Sequence, residues 1–459
     1  MKPDHPGGGF GRPRNATRSA AKPAPLRTVL TAAGLAAAGL LGAAEAGADA
    51  QSLSETMHWA LRSSFDKKAD DERQAAAEAR MLSSYEAFLP EAAYVINHRL
   101  DSTIRYKPDV YTDPSNPTGT DTVGRRQPSG DGFQLTLPLF DGFRRSNTLE
   151  AARSAVAAGR GLQDVKTQQI LLETASAYLA VLRDRAVVRL REAAIADVAK
   201  VARSVAARRE VHDATNAELA LAESRVIAAQ AALEQARANL LASDAELERL
   251  AGPDANPSAL PDVPNRLLPK SLDELRAVLL GESPRLIAAR LDAESADYLA
   301  KAAYARFSPQ LNLQFNHTRR GWVSNTPYKV VDTTTMLQAV VPLYQPGEFG
   351  DLARDQALAR QKSYETLDLE RRVVAEATVA FTQRRSSLQQ VAQASERVRK
   401  LIRAVQGRQM ELRLGTMTIL DTLNTVGELA DARIAKINLE YSRDRATYAL
   451  AAAMNRLRV

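Results

Sequence analysis

The chain has 459 residues, of which 5% are aromatic and 45% hydrophobic, with a formal charge of +7 and no cysteine. That length allows two or three ordinary domains, but so few aromatics among abundant Ala, Arg, Glu and Gln point to long helices with slim cores. Missing cysteine excludes a lipid-anchored amino terminus and suits an oxidising compartment, where unpaired thiols are a hazard. Residues 1–50 read as a signal peptide and N-terminal extension. Basic residues (Lys2, Arg12, Arg14, Arg18, Lys22, Arg27) precede an apolar run from Val29 to Leu41, and Ala-x-Ala candidates follow at Ala44–Ala46 and Ala48–Ala50. The run is shorter than the roughly 18 residues of a membrane span, which favours cleavage over anchoring. Cleavage after Ala50 leaves Gln51 first, and removing six Lys/Arg and three acids takes the charge from +7 to +4. The basic balance therefore gives no case for nucleic acid.

From Leu53 to Leu89 the pattern is helical, ending at Pro90. Tyr94 to Tyr106 then alternates, with Tyr94, Ile96, His98, Leu100, Ile104 and Tyr106 on one face and Asn97, Arg99, Asp101, Thr103 and Arg105 on the other. Lys107 to Asp131 holds Pro108, Pro114, Pro117, Gly119, Gly124 and Pro128 and reads as an exposed loop. A second strand puts Phe133, Leu135, Leu137 and Leu139 opposite Gln134 and Thr136, and ends at Pro138-Leu139-Phe140-Asp141-Gly142. Proline fixes φ and lacks a donor, so it suits a strand end, and glycine suits the turn after it. No proline falls between Leu139 and Gly252, which marks continuous helix. Arg144 to Arg209 would span about 100 Å as one helix. Its apolar positions Ile170, Leu171, Ala175, Tyr178, Leu179 and Leu182 recur at the three- and four-residue steps of a coiled-coil seam. A turn near Val211 to Asn216 returns the chain through Glu218 to Leu250 as a hairpin.

The proline-rich stretch 253–270 links this first unit, 51–252, to a second, 271–459, that repeats its order. A helix from Leu272 to Phe307, interrupted near Pro284, leads to a strand with Leu311, Leu313 and Phe315 opposite Gln310, Asn312, Gln314 and Asn316. A loop through Gly321-Trp322 and Pro327 precedes a strand lined by Thr335, Leu337, Ala339 and Val341. Pro342-Leu343-Tyr344-Gln345-Pro346-Gly347 matches the first joint, and no proline follows it. A helix from Asp351 to Arg413 turns at Gly415 and returns from Asp421 to Leu457. One face of each strand is apolar and the other carries amides, hydroxyls or charge. A soluble sandwich or a membrane barrel accounts for this equally well. Because about eight strands is the smallest usual barrel, four lipid-facing strands would require several chains to share one.

With that order established, the chain resembles the TolC-like outer membrane efflux family over essentially its whole mature length. Local support comes from Gln169-Ile170-Leu171-Leu172-Glu173-Thr174-Ala175-Ser176-Ala177-Tyr178-Leu179-Ala180-Val181-Leu182, similar to the family's helix after the first joint. Leu414-Gly415-Thr416-Met417-Thr418-Ile419-Leu420-Asp421-Thr422-Leu423 is similar to its second hairpin tip. The resemblance implies a mixed α+β membrane protein. It implies that four strands per chain contribute to a shared trimeric 12-stranded β-barrel in the outer membrane lipid, continued by antiparallel helical hairpins as a periplasmic tunnel. It further implies a homotrimer that meets a periplasmic adaptor and an inner-membrane ABC or proton-driven transporter at the hairpin tips, in type I secretion or efflux, with no cofactor and no nucleic acid.

The two tips align at a constant offset, Val211 with Leu414, Thr215 with Thr418 and Glu218 with Asp421. The resemblance implies a pore constriction formed by Asp421, Glu218, Asn424 and Met417, where three-fold symmetry gathers carboxylates that attract cations and repel anions. It implies adaptor contacts at Val211, His212, Asp213, Leu414, Gly415 and Thr416. Thr215-x-x-Glu218 and Thr418-x-x-Asp421 also have capping-box spacing, so helix capping is the plainer role for both acids. The chain departs from well-studied members at Leu412, Met417 and Asn424, where those carry a tyrosine, an arginine and a second aspartate that hold the closed state. His212-Asp213 stands where their adaptor motif has Gly-Leu. His5, His58, His98, His212 and His317 lack metal-ligand spacing and read as surface or strand residues. Tyr94, Tyr106, Phe315, Tyr344 and Trp322 are candidates for an interfacial girdle. The alternative function is a periplasmic or surface coiled-coil scaffold without a pore.

Overall fold

The computed structural model describes residues 52–98, 103–106, 122–125, 129–253, 255–257, 261, 268–321, 329–413 and 419–458. The chain begins with α1 (Leu53–Ser63) and α2 (Phe65–Glu86). They meet at Ser64, whose hydroxyl caps α2 by accepting from the Lys67 N–H. Then come β1 (Glu91–His98), β2 (Thr103–Tyr106), β3 (Thr122–Arg125) and β4 (Ser129–Phe140). The helices α3 (Arg144–Glu210) and α4 (Asn216–Ala251) make the first long hairpin. In the second half α5 (Leu272–Glu282), α6 (Pro284–Ala303) and a 3-10 turn at Tyr304–Phe307 precede β5 (Gln310–Gly321) and β6 (Lys329–Val340). The chain closes with α7 (Glu348–Arg413) and α8 (Ile419–Ala453). Pro284 opens α6 because its missing N–H is not needed in a first helical turn.

The predicted strand Tyr94–Tyr106 divides in two. β1 joins the main sheet and starts earlier, at Glu91. β2 pairs instead with β3, which lies inside the expected Lys107–Asp131 loop, in a separate two-stranded sheet. Short local antiparallel pairing outweighs the surrounding turn residues there. β6 likewise begins at Lys329, well before Thr335, because β5 offers it partners as far as Gly321.

The main sheet is antiparallel, in the order β1-β4-β5-β6. Its ladder between β4 and β5 shifts register between Pro138 and Phe140, where proline has no N–H to give. Past that bulge Gly142 has φ +69°, and Phe143 φ +66°. A Cβ at position 142 would lie 2.3 Å from the Ser308 Cβ, so both the backbone and the neighbour demand glycine. Gly347 repeats the left-handed conformation at the second joint, with φ +93°.

The main core lies where the long helices meet the shorter ones. Leu171, Tyr178 and Val181 of α3 pack with Leu275 and Leu279 of α5, Leu286 of α6, Leu450 of α8, and Met454 just after α8. All of them are essentially inaccessible, and each is worth about 1.5–3 kcal/mol of apolar transfer on burial. The predicted seam through Ile170, Leu171, Ala175, Tyr178 and Leu179 is this buried face. A second, smaller cluster sits toward the hairpin tips.

Candidate functional site

The sheet has two chemically different faces, set by its register. On one face Leu137, Leu313 and Leu337 stand side by side, flanked by the rows Ala92–Leu135–Phe315–Thr335 and Tyr94–Phe133–His317–Thr333. The opposite face carries Gln134, Asn316 and Thr334 in one row, with Asn312 beside Gln338 in another. There the Gln314 Nε2 donates to the Gln338 Oε1 at 2.8 Å. Met336, opposite Gln314, and Val340, opposite Gln310, are apolar residues on this face.

In the single chain the apolar face is uncovered. Leu337 is 62% exposed and Ile96 72%. Both outer strands, β1 and β6, are hydrogen-bonded on one side within this sheet. An open sheet with two free edges and an exposed apolar face is complete only when lipid covers the face and further strands cover the edges.

Aromatic side chains gather where the strands meet the helices. Phe88, Phe140, Phe143, Phe307, Tyr344 and Phe349 are all exposed around the two joints. Phe140 and Phe143 meet edge to face at 5.5 Å, Phe307 and Phe349 lie 4.9 Å apart, and the Arg145 guanidinium sits 5.2 Å over Phe88. Rings with adjacent cations at one level suit a membrane interface. Of the girdle candidates, Tyr344 stands at the second joint. Tyr94 points its hydroxyl at Asp131 (2.5 Å), which also pairs with Arg319 at 3.1 Å, near the opposite end of the strands. Phe315 falls in the middle of β5 and belongs to the apolar band. Tyr106 ends β2, and Trp322 lies outside the described residues.

At the far end, α3 stops in a Schellman arrangement. His212 N–H donates to the Arg209 carbonyl (3.0 Å) and Asp213 N–H to the Arg208 carbonyl (2.8 Å). His212 takes the left-handed conformation, φ +62°, in which glycine is usual. Asp213 also accepts from the Arg208 Nε at 2.7 Å.

Thr215 then starts α4 with the capping box expected from its spacing. Its N–H donates to the Glu218 carboxylate at 2.8 Å, and its hydroxyl accepts from the Glu218 N–H at 3.1 Å. The Thr215 N–H and then its hydroxyl hold the Glu218 carboxyl below its ordinary value.

Leu414, Gly415, Thr416, Met417 and Thr418 lie outside the described residues, so the second capping box does too. Asp421 is half-buried in the first turn of α8, and its carbonyl accepts from the Thr425 hydroxyl at 2.7 Å. The two hairpins end together. Val198, Val201 and Val205 of α3 and Ala222 of α4 pack with Leu423 and Val426 of α8, and Leu412 of α7 leans on the same cluster.

Asn424 is exposed, and its Oδ1 accepts from the Arg225 Nη2 of α4 at 3.4 Å. Higher up, Arg191 of α3 pairs with Asp431 of α8 at 3.3 Å. Neither arginine stands out in the sequence, because each meets a residue of the other half of the chain. His317 Nδ1 shares a hydrogen bond with the Thr333 hydroxyl, and among the described residues no group of three His, Cys, Asp or Glu is placed to hold a metal. Among them, too, no helix is long and apolar enough to cross a membrane, which says nothing of strands.

A family model described as outer membrane efflux protein matches residues 60–253 and 275–456. Outer membrane efflux protein BepC of Brucella suis biovar 1 (strain 1330) is 28% identical over 330 residues, covering 71% of this chain and 72% of BepC. Among solved structures, CusC superposes with a TM-score of 0.76 at 15% identity, covering 88% of this chain and 91% of CusC. The Campylobacter jejuni CmeC outer membrane channel gives 0.72 at 18% identity, covering 89% and 87%. The order of strands, joints and hairpins, and a family match in each half, place this chain: it belongs to the outer membrane efflux protein family.

Proposed function

We propose that the chain is one third of a passive export duct. Three copies of the four-stranded sheet close a twelve-stranded barrel by pairing β1 of one copy with β6 of the next. The hairpins continue it across the periplasm. The observation that carries this is the exposed apolar sheet face, backed by amides and joined without interruption to two helical hairpins. A coiled-coil scaffold without a pore has no use for such a sheet.

In this arrangement residues 1–50 are the removed leader, and 51–252 and 271–459 are two repeats joined by the 253–270 linker. A periplasmic adaptor docks at the tips through Val211, His212, Asp213, Leu414, Gly415 and Thr416. An inner-membrane ABC or proton-driven transporter supplies the energy and the choice of cargo. Asp421 and its symmetry mates, with Asn424 and Met417, form the constriction, while Glu218 is occupied in capping α4.

Single-channel conductance in a planar bilayer tests this, comparing wild type with Asp421→Ala. A low-conductance trimer whose ion preference changes in the variant is the expected result. A folded trimer that neither inserts nor conducts would overturn the duct. A conducting trimer indifferent to Asp421 would return that residue to helix capping.

A further inference from the structure

Asp421, Asn424 and Glu428 follow one another at three- and four-residue steps, so they form one polar stripe on α8. Arg191 and Arg225 of the first hairpin reach polar side chains of this helix. Arg191 meets a carboxylate, Asp431, and is neutralised there. Arg225 meets only the neutral amide of Asn424, and among the described residues it has no carboxylate within salt-bridge distance. Its side chain is exposed, on a face of α4 that looks toward the start of α8. A full positive charge is thus held one helical turn from Asp421, at a position where a carboxylate would have been its natural partner.

We propose that Arg225 is a specificity-determining residue of the duct. It converts the acidic ring at Asp421 into a mixed-charge ring through which anionic solutes as well as cations pass. The inference rests on the constriction assigned above to Asp421. Three arginines beside three aspartates offset the negative charge of the ring, and charges this close act on one another and on a passing ion before salt screens them. The guanidinium is held in place by its hydrogen bond to Asn424. An aspartate at 424 would have neutralised Arg225, whereas the amide of Asn424 leaves its charge in place.

The test is the reversal potential of the full-length trimer in a potassium chloride gradient, for wild type, Arg225→Gln, Arg225→Lys, Asn424→Ala and Asp421→Ala. Wild type should discriminate weakly between potassium and chloride. Arg225→Gln should raise the potassium-to-chloride permeability ratio by about threefold or more, as expected for removing one charge per subunit from a narrow site. Arg225→Lys, which keeps the charge, should retain the wild-type ratio, and Asp421→Ala should shift it toward chloride. If Arg225→Gln and Asn424→Ala both raise conductance while leaving the ratio unchanged, the contact is only a mechanical tie between hairpins and the proposal fails. If Asp421→Ala is silent but Arg225→Gln shifts the ratio, the assignment of Asp421 is wrong and Arg225 keeps its role. Migration of each variant as a trimer before heating guards against misfolding.

Discussion

Leu313 and Gln314 are adjacent in β5 yet face opposite media, so exchanging each for arginine separates the lipid side from the lumen. Leu313 stands between Leu137 and Leu337 in the apolar row, while Gln314 donates to Gln338 at 2.8 Å on the other face. The 12 residues of β5 extend about 40 Å, which spans the hydrocarbon layer at a barrel's tilt. Leu313 is the fourth residue from the joint, inside the apolar band but short of its middle. An arginine on the lipid face costs about 2–4 kcal/mol at mid-depth and less toward the rim, so about 2 kcal/mol per chain applies here. Three copies raise that to about 6 kcal/mol per trimer, comparable with the whole stability of an ordinary domain. Arginine at 314 remains in water and loses one amide hydrogen bond, about 1 kcal/mol per chain. Refolding into phosphatidylcholine vesicles along a urea gradient, scored by heat-modifiable migration, should place Leu313→Arg far below wild type and Gln314→Arg close to it. Equal insertion of the two variants, or the reverse order, would refute the assignment of faces.

At the first tip, Thr215→Ala removes the hydroxyl that caps α4 and should cost about 1 kcal/mol, read as faster amide exchange in the first turn after Asn216. The cap also has a pH dependence of defined sign. The Glu218 carboxyl is held below its ordinary 4.5 in the folded chain. Its contribution is therefore complete above that value and lost as pH falls through the depressed one, so protection of this turn should weaken in acid and do so less in Glu218→Gln. At the first joint, Gly142→Ala must place a Cβ 2.3 Å from that of Ser308 at φ +69°. Trimer yield should fall sharply, and Ser308→Gly should restore only part of it, because the left-handed backbone penalty of about 1–2 kcal/mol remains. In the main core, Tyr178→Ala empties a site with no solvent exposure and should cost about 3–5 kcal/mol in chemical denaturation.

What could be read from the sequence was whatever local chemistry decides. The proline-free stretches gave α3 and α7 almost to the residue, since nothing but a turn can stop such a helix. The glycines at 142 and 347 marked real left-handed turns, and Thr215-x-x-Glu218 marked a real capping box. Other features depend on a partner distant in the sequence. β6 extends back to Lys329 because β5 is there to receive it, although Lys329-Val330-Val331-Asp332 has little strand pattern of its own. β3 is four residues among turn formers and exists through β2. At the end of α3 the turn was legible but its geometry was not: histidine, not glycine, takes the left-handed position, stabilised by two Schellman hydrogen bonds that cannot be seen in a string of letters.

The contact between Arg225 and Asn424 is the extreme case, since 199 residues separate them. Their meeting depends on how two hairpins lie together, and that is fixed by the buried side chains Val198, Val201, Val205, Ala222, Leu423 and Val426. The same packing brings Leu412 of α7 against the cluster, so the contact that joins the hairpins here is apolar. A tip held by apolar packing is less sensitive to salt than one tied by ion pairs, because screening weakens charge interactions and leaves apolar burial intact. On the proposed reading, selectivity and mechanical closure are separable: charge at Asp421 and Arg225 governs which ions pass, and the valine and leucine cluster governs how firmly the hairpins hold together.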